Sequence, residues 1–244
     1  LLKSIYSLSF LLVIISTLTS QSSSYASEGM QCDHLVIAGA QSWFPYSYVQ
    51  EGNKYYQGLL INSLKDAIED KSISLSHWSD LPWKRAELQL NKGKVDIILG
   101  AFHTPQRAKT WYFSKPLANS ELVLFSLNDI LDVTRIEELY NKEVSYPFGM
   151  ATGKKFAAIK SHIKTEHIVH HEQIYGMILK QHTDFGLLPR TAVETYLSQH
   201  KLKDKFKIHP LKLNSEAIYL VTSMNNPCLT KIKFIFANLK RVSQ

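Results

Sequence analysis

Two cysteines, Cys32 and Cys228, are all that the 244 residues carry. No C-x-x-C pair occurs, which removes the dithiol redox motif and the thiolate zinc site. There is no Gly-rich phosphate loop, no Ser-His-Asp arrangement and no carboxylate pair at a spacing that would fix its geometry. Phosphoryl transfer and triad hydrolysis therefore have no motif to rest on. No internal repeat, low-complexity tract or Pro-rich linker is present. After the first residues, no apolar run reaches the ~18 residues that a membrane-spanning helix needs. Acidic side chains are the scarcer charge, 21 against 28 basic, for a net +7. The basic residues are scattered, with a mild density from Lys201 to Lys212. That density reads as a solvated face rather than a nucleic-acid or lipid surface.

What remains is a globular composition, 45% hydrophobic and 20% charged. It suffices for one large core or two modest ones. At the start, Lys3 precedes an apolar run from Ile5 to Leu18, and a Ser-rich stretch ends Ser24-Tyr25-Ala26. A basic n-region, an apolar h-region and a small-x-small site form a secretory leader, with cleavage expected after Ala26. Loss of Lys3 with that leader lowers the net charge from +7 to +6. Export argues against a nucleic-acid partner. It also makes one disulfide the natural use of two cysteines, two buried thiols being the alternative.

The stretch from Gly93 to Pro116 organises the chain. Val95 to Leu99 is a short, β-branched apolar run that ends at Gly100, the pattern of a buried strand. It is expected to empty into a loop, Ala101 to Gln106, followed by Arg107. Ligands of open α/β sheets sit beyond the carboxyl ends of the strands. Arg107 thus falls where a ligand would, and its planar guanidinium can hold a carboxylate through two parallel hydrogen bonds. Thr104 is expected to hold the loop by bonding backbone two or three residues on.

Gly93-Lys94-Val95-Asp96, Thr104-Pro105-Gln106-Arg107 and Phe113-Ser114-Lys115-Pro116, in that order and spacing, resemble the family 3 extracellular solute-binding proteins. These are periplasmic amino-acid-binding subunits of ABC importers. The resemblance runs from about Leu35 to Asn238 and is clearest up to Phe125. It implies an α/β, two-lobe periplasmic-binding-protein fold of type II, with open sheets flanked by helices and two crossing strands as the hinge. Residues 27–125 and 213–244 would build lobe 1 and residues 126–212 lobe 2, after a leader over 1–26. Both chain ends would return to lobe 1, which brings Cys32 and Cys228 within reach of a bridge.

The same resemblance implies a set of ligand contacts. An aromatic-Pro-aromatic loop places Trp43 and Tyr46 on the cleft wall. Backbone along Gly100 to Phe102 would touch ligand, although Phe102 replaces the family's hydroxyl. The loop at Gly149 and Thr152 feeds a helix start and is either a simple turn or an anion site. Trp83 or Arg85, at the start of the helix after Pro82, are further candidates. The largest departure is Pro189, where the family has an Asp that binds the ligand's ammonium, followed by Arg190. Arg107 with Arg190 then favours an anionic or carboxylate compound. His162, His167, His170 and His171 suggest a metal. A strand through Glu166 to His170 would point His167 and His170 to opposite faces, so no metal and no cofactor is expected.

The resulting expectation is a monomeric periplasmic binding protein. It would capture a small carboxylate-bearing ligand and dock on an ABC permease. A sensing module for a membrane receptor is the second reading. A cyclic-acid dehydratase-like enzyme is the third, with Glu121, Glu172 or His103 as its acid–base group, although no catalytic residue is assigned.

Overall fold

The computed structural model describes residues 32–213 and 215–242. The leader expected at 1–26 lies outside the described residues. The elements are β1 (His34–Gly39), β2 (Ser42–Trp43), β3 (Ser47–Val49), β4 (Tyr56–Gln57), α1 (Leu59–Ala67), β5 (Ser74–His77), α2 (Trp83–Asn91) and β6 (Ile97–Phe102). Then follow β7 (Trp111–Phe113), β8 (Ala118–Leu127), β9 (Glu143–Pro147), α3 (Gly153–Ile159), β10 (Lys164–Ile168) and α4 (Glu172–Leu179). The chain closes with β11 (Phe185–Pro189), α5 (Arg190–Gln199), β12 (Phe206–Ile208), β13 (Ser215–Ser223) and α6 (Leu229–Asn238).

Ten strands form one continuous hydrogen-bonded sheet, in the order β10-β9-β11-β8-β13-β6-β1-β5, with β12 beside β8 and β7 beside β13. Each end of the sheet is a parallel trio, β5-β1-β6 and β10-β9-β11. Between them lie β8 and β13, antiparallel to each other and to their neighbours. The first residues of β8, Ala118–Glu121, pair with β13, and Leu122–Phe125 pair with β11. One strand therefore passes from one trio to the other.

Burial explains why these runs fold as they do. Every residue of β6 is buried, as the unbroken apolar run requires, because helices cover both faces of a parallel sheet. On one face, α1 and α6 supply Leu60, Leu64, Ile232 and Phe236, and α3 supplies Phe156. On the opposite faces, α2 supplies Ala86 and Leu90 to one cluster, and α4 and α5 supply Ile174, Ile178, Val193 and Leu197 to another. No helix among the described residues is long and apolar enough to cross a membrane. Cys32 and Cys228 are joined by a disulfide, just before β1 and just before α6.

The sequence reading needs three corrections. First, β6 does not stop at Leu99. It runs to Phe102, because β13 pairs alongside it and carries the ladder past the turn signal at Gly100, with a register irregularity at Tyr219/Leu220. Second, the Asn226-Pro227 pair predicts a last helix with Pro227 at its first position, but α6 begins at Leu229, so Pro227 precedes the helix and Cys228 is its N-cap residue. Asn226 Oδ1 there accepts the Cys228 N–H at 2.7 Å. Third, β10 ends at Ile168, and His170 is not in a strand. The carbonyls of His170 and His171 accept the N–H groups of Gln173 and Ile174, which opens the turn into α4.

Candidate functional site

The carboxyl ends of the parallel strands from both trios converge on one cavity of about 140 Å³. From one side come Gly39 to Trp43 after β1, Leu81 to Trp83 before and into α2, Gly100 to Phe102 at the end of β6, and Arg107. From the other come Pro147, Met150 and Ala151 after β9, Val169 to Glu172 after β10, and Leu188, Pro189 and Ala192 at the β11–α5 junction. At about 10–15 Å³ per water, the space holds on the order of ten waters, or a solute of about as many non-hydrogen atoms. This is the crevice at a topological switch point that the position of Arg107 implied.

Gly100 makes room for the aromatic wall. Its φ is +88°, and a Cβ there would stand 2.9 Å from Leu60 Cδ1 and 3.0 Å from the Trp43 ring. Trp43 packs edge-on against Phe102, with ring centroids 5.2 Å apart, and against Tyr46 at 5.6 Å. Trp43 and Phe102 line the cavity. Tyr46 lies behind them, buried, with its hydroxyl donating to the Asn119 carbonyl at 2.9 Å. Trp83 also lines the cavity, whereas Arg85, beside it on α2, is exposed and outside the lining. Among the described residues, Trp43 Nε1 and Trp83 Nε1 are both buried without a hydrogen-bond partner.

Arg107 stands at the edge of this space, but four of its five N–H donors are already engaged. Nε and Nη2 donate to Glu87 Oε1 at 3.1 and 2.6 Å. Nη1 donates to the Phe102 carbonyl at 2.8 Å, and Nη2 to the Gly149 carbonyl at 3.1 Å. The guanidinium carbon lies 5.2 Å from the ring centroids of both Trp83 and Trp111. The second Glu87 oxygen accepts from Lys84 Nζ at 2.8 Å. The carboxylate that Arg107 holds here thus comes from α2 of its own chain. The Arg107 and Glu87 side chains are only 10% and 8% exposed, so Arg107 depends on Glu87 for compensation, while Glu87 is shared between Arg107 and Lys84. Thr104 holds the turn below, with Oγ1 accepting the Arg107 N–H at 3.1 Å, as its position suggested.

The remaining expected contacts are placed differently. Gly149 meets Arg107 through its carbonyl and has a φ of +82°. Thr152 is buried at the start of α3, makes no side-chain cap and is outside the lining, so the loop presents no hydroxyl to the cavity. Arg190 corrects the expectation of a second ligand-facing arginine. It lies outside the lining because Glu121 and Glu194 draw it away, at 2.6 and 3.4 Å. Glu121 is held below the usual carboxylate range by that hydrogen bond, against a smaller opposing effect of burial. Pro189 lines the cavity, where an Asp would have projected.

Sequence reasoning missed Glu87 and assigned no ligand role to Gln41, Ser42, His170, His171 or Glu172. His171 Nδ1 lies 2.9 Å from Ser42 Oγ, a bond between the two sides of the cavity, and 3.4 Å from Glu172 Oε1. Burial pushes His171 toward its neutral form, with the nearby Glu172 carboxylate opposing and His170 reinforcing the shift. The His170-His171-Glu172 run is the available signal, but the sequence places His170 at the end of a strand and Glu172 at the start of a helix. Among the described residues, no three His, Cys, Asp or Glu side chains are grouped to hold a metal. Of the acid–base candidates, only Glu172 reaches the cavity lining; Glu121 is paired with Arg190, and His103 stacks near Phe113 at 4.8 Å.

Solved structures share this architecture. Holo ArgBP from T. maritima superposes with a TM-score of 0.72 at 18% identity, covering 84% of this chain and 88% of that one. The substrate-binding protein of an amino acid ABC transporter gives 0.71 at 18%, covering 84% and 91%. A histidine kinase sensor domain with similarity to periplasmic binding proteins gives 0.73 at 12%, covering 84% and 87%. No curated protein matches the sequence. Bacterial extracellular solute-binding proteins, family 3, match residues 35–241, nearly all of the described chain. The chain belongs to the family 3 bacterial extracellular solute-binding proteins.

Proposed function

We infer that this protein captures a small organic solute in the cleft between two lobes and presents it, in the periplasm, to a membrane importer of the ABC type. The observation that carries the reading is the cavity where five strand ends from two parallel trios meet. Residues 27–125 and 213–244 act as one lobe and 126–212 as the other. The long strands β8 and β13 are the connections that bend, in the manner of hinge closure around a ligand. The cavity walls are aromatic and aliphatic with a few polar groups, the usual make-up of a small-molecule site. The disulfide fits an oxidising compartment.

The expected carboxylate on Arg107 needs revision within this reading. Glu87 already fills the guanidinium fork. A ligand carboxylate would have to displace it or forgo the arginine. Delivery to a sensor is the second reading, in keeping with the kinase sensor domain among the similar folds.

The test is a thermal-shift screen of the protein from Ser27 onward against amino acids, amines, dicarboxylates, aromatic acids and neutral solutes. A ligand at one hundred times its dissociation constant adds about 2.7 kcal/mol. In a domain of this size that raises the melting temperature by roughly 5–10 °C. A reproducible shift that is lost in Gly100→Val supports the site. A shift that Gly100→Val leaves intact places binding elsewhere. No shift from any class counts against solute capture.

A further inference from the structure

We propose that the cleft is latched shut by the protein's own groups: Ser42–His171 and Arg107–Gly149 join its two sides, so a solute enters through transient opening and does not itself draw the sides together. The proposal rests on the two-lobe reading, and it names the resting state of that hinge.

Both joints are made by segments that leave strand ends on opposite trios. Ser42 follows β1 and His171 follows β10, and their Oγ and Nδ1 lie 2.9 Å apart. Arg107 follows β6 and Gly149 follows β9, and Arg107 Nη2 donates to the Gly149 carbonyl at 3.1 Å. Ser42, His171 and Arg107 are wall residues of the cavity, and Gly149 lies in sequence between the wall residues Pro147 and Met150.

Each joint is anchored on its own side before it reaches across. The His171 carbonyl accepts the Ile174 N–H, which fixes the backbone under the ring at the start of α4. Arg107 is fixed by Glu87 and by the Phe102 carbonyl, both from its own side of the cleft. The turn at Gly149 seats against α2. A Cβ on Gly149 would stand 3.0 Å from Lys84 Cδ, 3.2 Å from Trp83 Cδ1 and 3.4 Å from Glu87 Oε2. A residue without a side chain lets the backbone come that close. The described residues from Cys32 onward accordingly pack as one compact unit.

The two joints are strong enough to set the resting state. A neutral hydrogen bond shifts an equilibrium by roughly two- to tenfold, and one from a charged donor by about tenfold or more. Together they weight the closed form by about 20–100-fold. On that scale a population about nine-tenths closed becomes mostly open when both joints are lost.

The experiment is small-angle scattering and acrylamide quenching of tryptophan fluorescence, on the protein from Ser27 onward with no solute added. The proteins are the wild type, Ser42→Ala, Ser42→Thr, Gly149→Ala and the double variant Ser42→Ala/Gly149→Ala. The wild-type curve should match the one calculated from this structure. The radius of gyration should rise in Ser42→Ala and in Gly149→Ala, and most in the double variant. Quenching should increase in the same order, because Trp43 and Trp83 line the cavity. Ser42→Thr keeps the hydroxyl and should stay closed, which a loss of packing alone would not explain. If Gly149→Ala does not fold, Ser42→Ala and His171→Phe carry the same test. A wild-type curve more extended than this structure, contracting when a solute that raises the melting temperature is added, would overturn the latch and leave the two-lobe reading standing. Unchanged scattering and quenching in the double variant would overturn the latch as well. If in addition no solute alters the scattering of any variant, the hinge itself fails.

Discussion

Removing the Glu87 carboxylate should cost more than any other single change at the cleft. Glu87→Ala leaves the Arg107 guanidinium without its two charge-assisted hydrogen bonds at 3.1 and 2.6 Å, in a site where the side chain is only 10% exposed. Breaking one side of a buried pair typically costs about 3–5 kcal/mol, because the surviving charge is stranded. The bonds to the Phe102 and Gly149 carbonyls and the two indole rings remain, which favours the lower half of that range. Lys84 loses a partner too, but it is largely exposed, and that loss is worth roughly 0–1 kcal/mol. For a chain of this length, 3–4 kcal/mol lowers the melting temperature by about 6–16 °C. Circular dichroism on the wild type, Glu87→Ala, Arg107→Met and the double variant completes a cycle. The double variant should be more stable than either single one, because two apolar side chains leave no unpaired charge. A drop of less than about 2 °C in both single variants, or additive losses in the double, would show that the pair is solvated and that Arg107 is free for ligand.

Three further outcomes follow from other parts of the structure. Gly149→Ala forces a Cβ onto a residue with φ of +82°, 3.0 Å from Lys84 Cδ and 3.2 Å from Trp83 Cδ1. It should cost about 1–2 kcal/mol and weaken the contact across the cleft, read as a lower melting temperature and a larger radius of gyration by small-angle scattering. Reduction of Cys32–Cys228, which closes a 196-residue span, should lower the melting temperature by an amount equivalent to about 2–5 kcal/mol, measured with and without reductant. His209 is buried, with Nε2 2.8 Å from Ser126 Oγ and Nδ1 accepting the Val133 N–H at 3.2 Å. Burial chiefly, with Lys207 adding and Asp132 opposing, depresses its pKa to about 4. A depressed pKa means that the unfolded chain binds the extra proton first. The stability from neutral His209 is therefore full above about pH 6.5 and is lost as the pH falls toward 4, on the order of 2 kcal/mol after screening. His209→Gln should flatten that part of a stability-against-pH curve.

Much of the fold was readable because it follows from local rules. The apolar run at Ile97–Leu99 and the stripe of Leu60, Ile61 and Leu64 at helical spacing each fix an element by periodicity and burial. One error came where a distant partner overrode a local signal. Gly100 reads as a strand end, yet β13, more than one hundred residues later, extends the ladder to Phe102, a partner no window of ten or fifteen residues contains. The other is local: His170 reads as strand by continuity, yet its carbonyl accepts the N–H of Gln173, three residues on, and opens the α4 turn.

The site shows the same limit in a sharper form. That an arginine would stand beside the cleft could be read from the strand before it and the Thr104 turn. What that arginine holds could not, because Glu87 is 20 residues away on a helix whose own pattern marks the position as one more polar residue. A lone guanidinium and a paired one make different demands on a ligand. The first calls for a carboxylate from the ligand, and the second already has one from its own chain. Arg190 repeats the point, since Glu121, 69 residues earlier, turns it outward. Composition records the net charge of the chain, but ligand selectivity depends on which charges are left uncompensated around about 140 Å³ of space, and only the fold determines that.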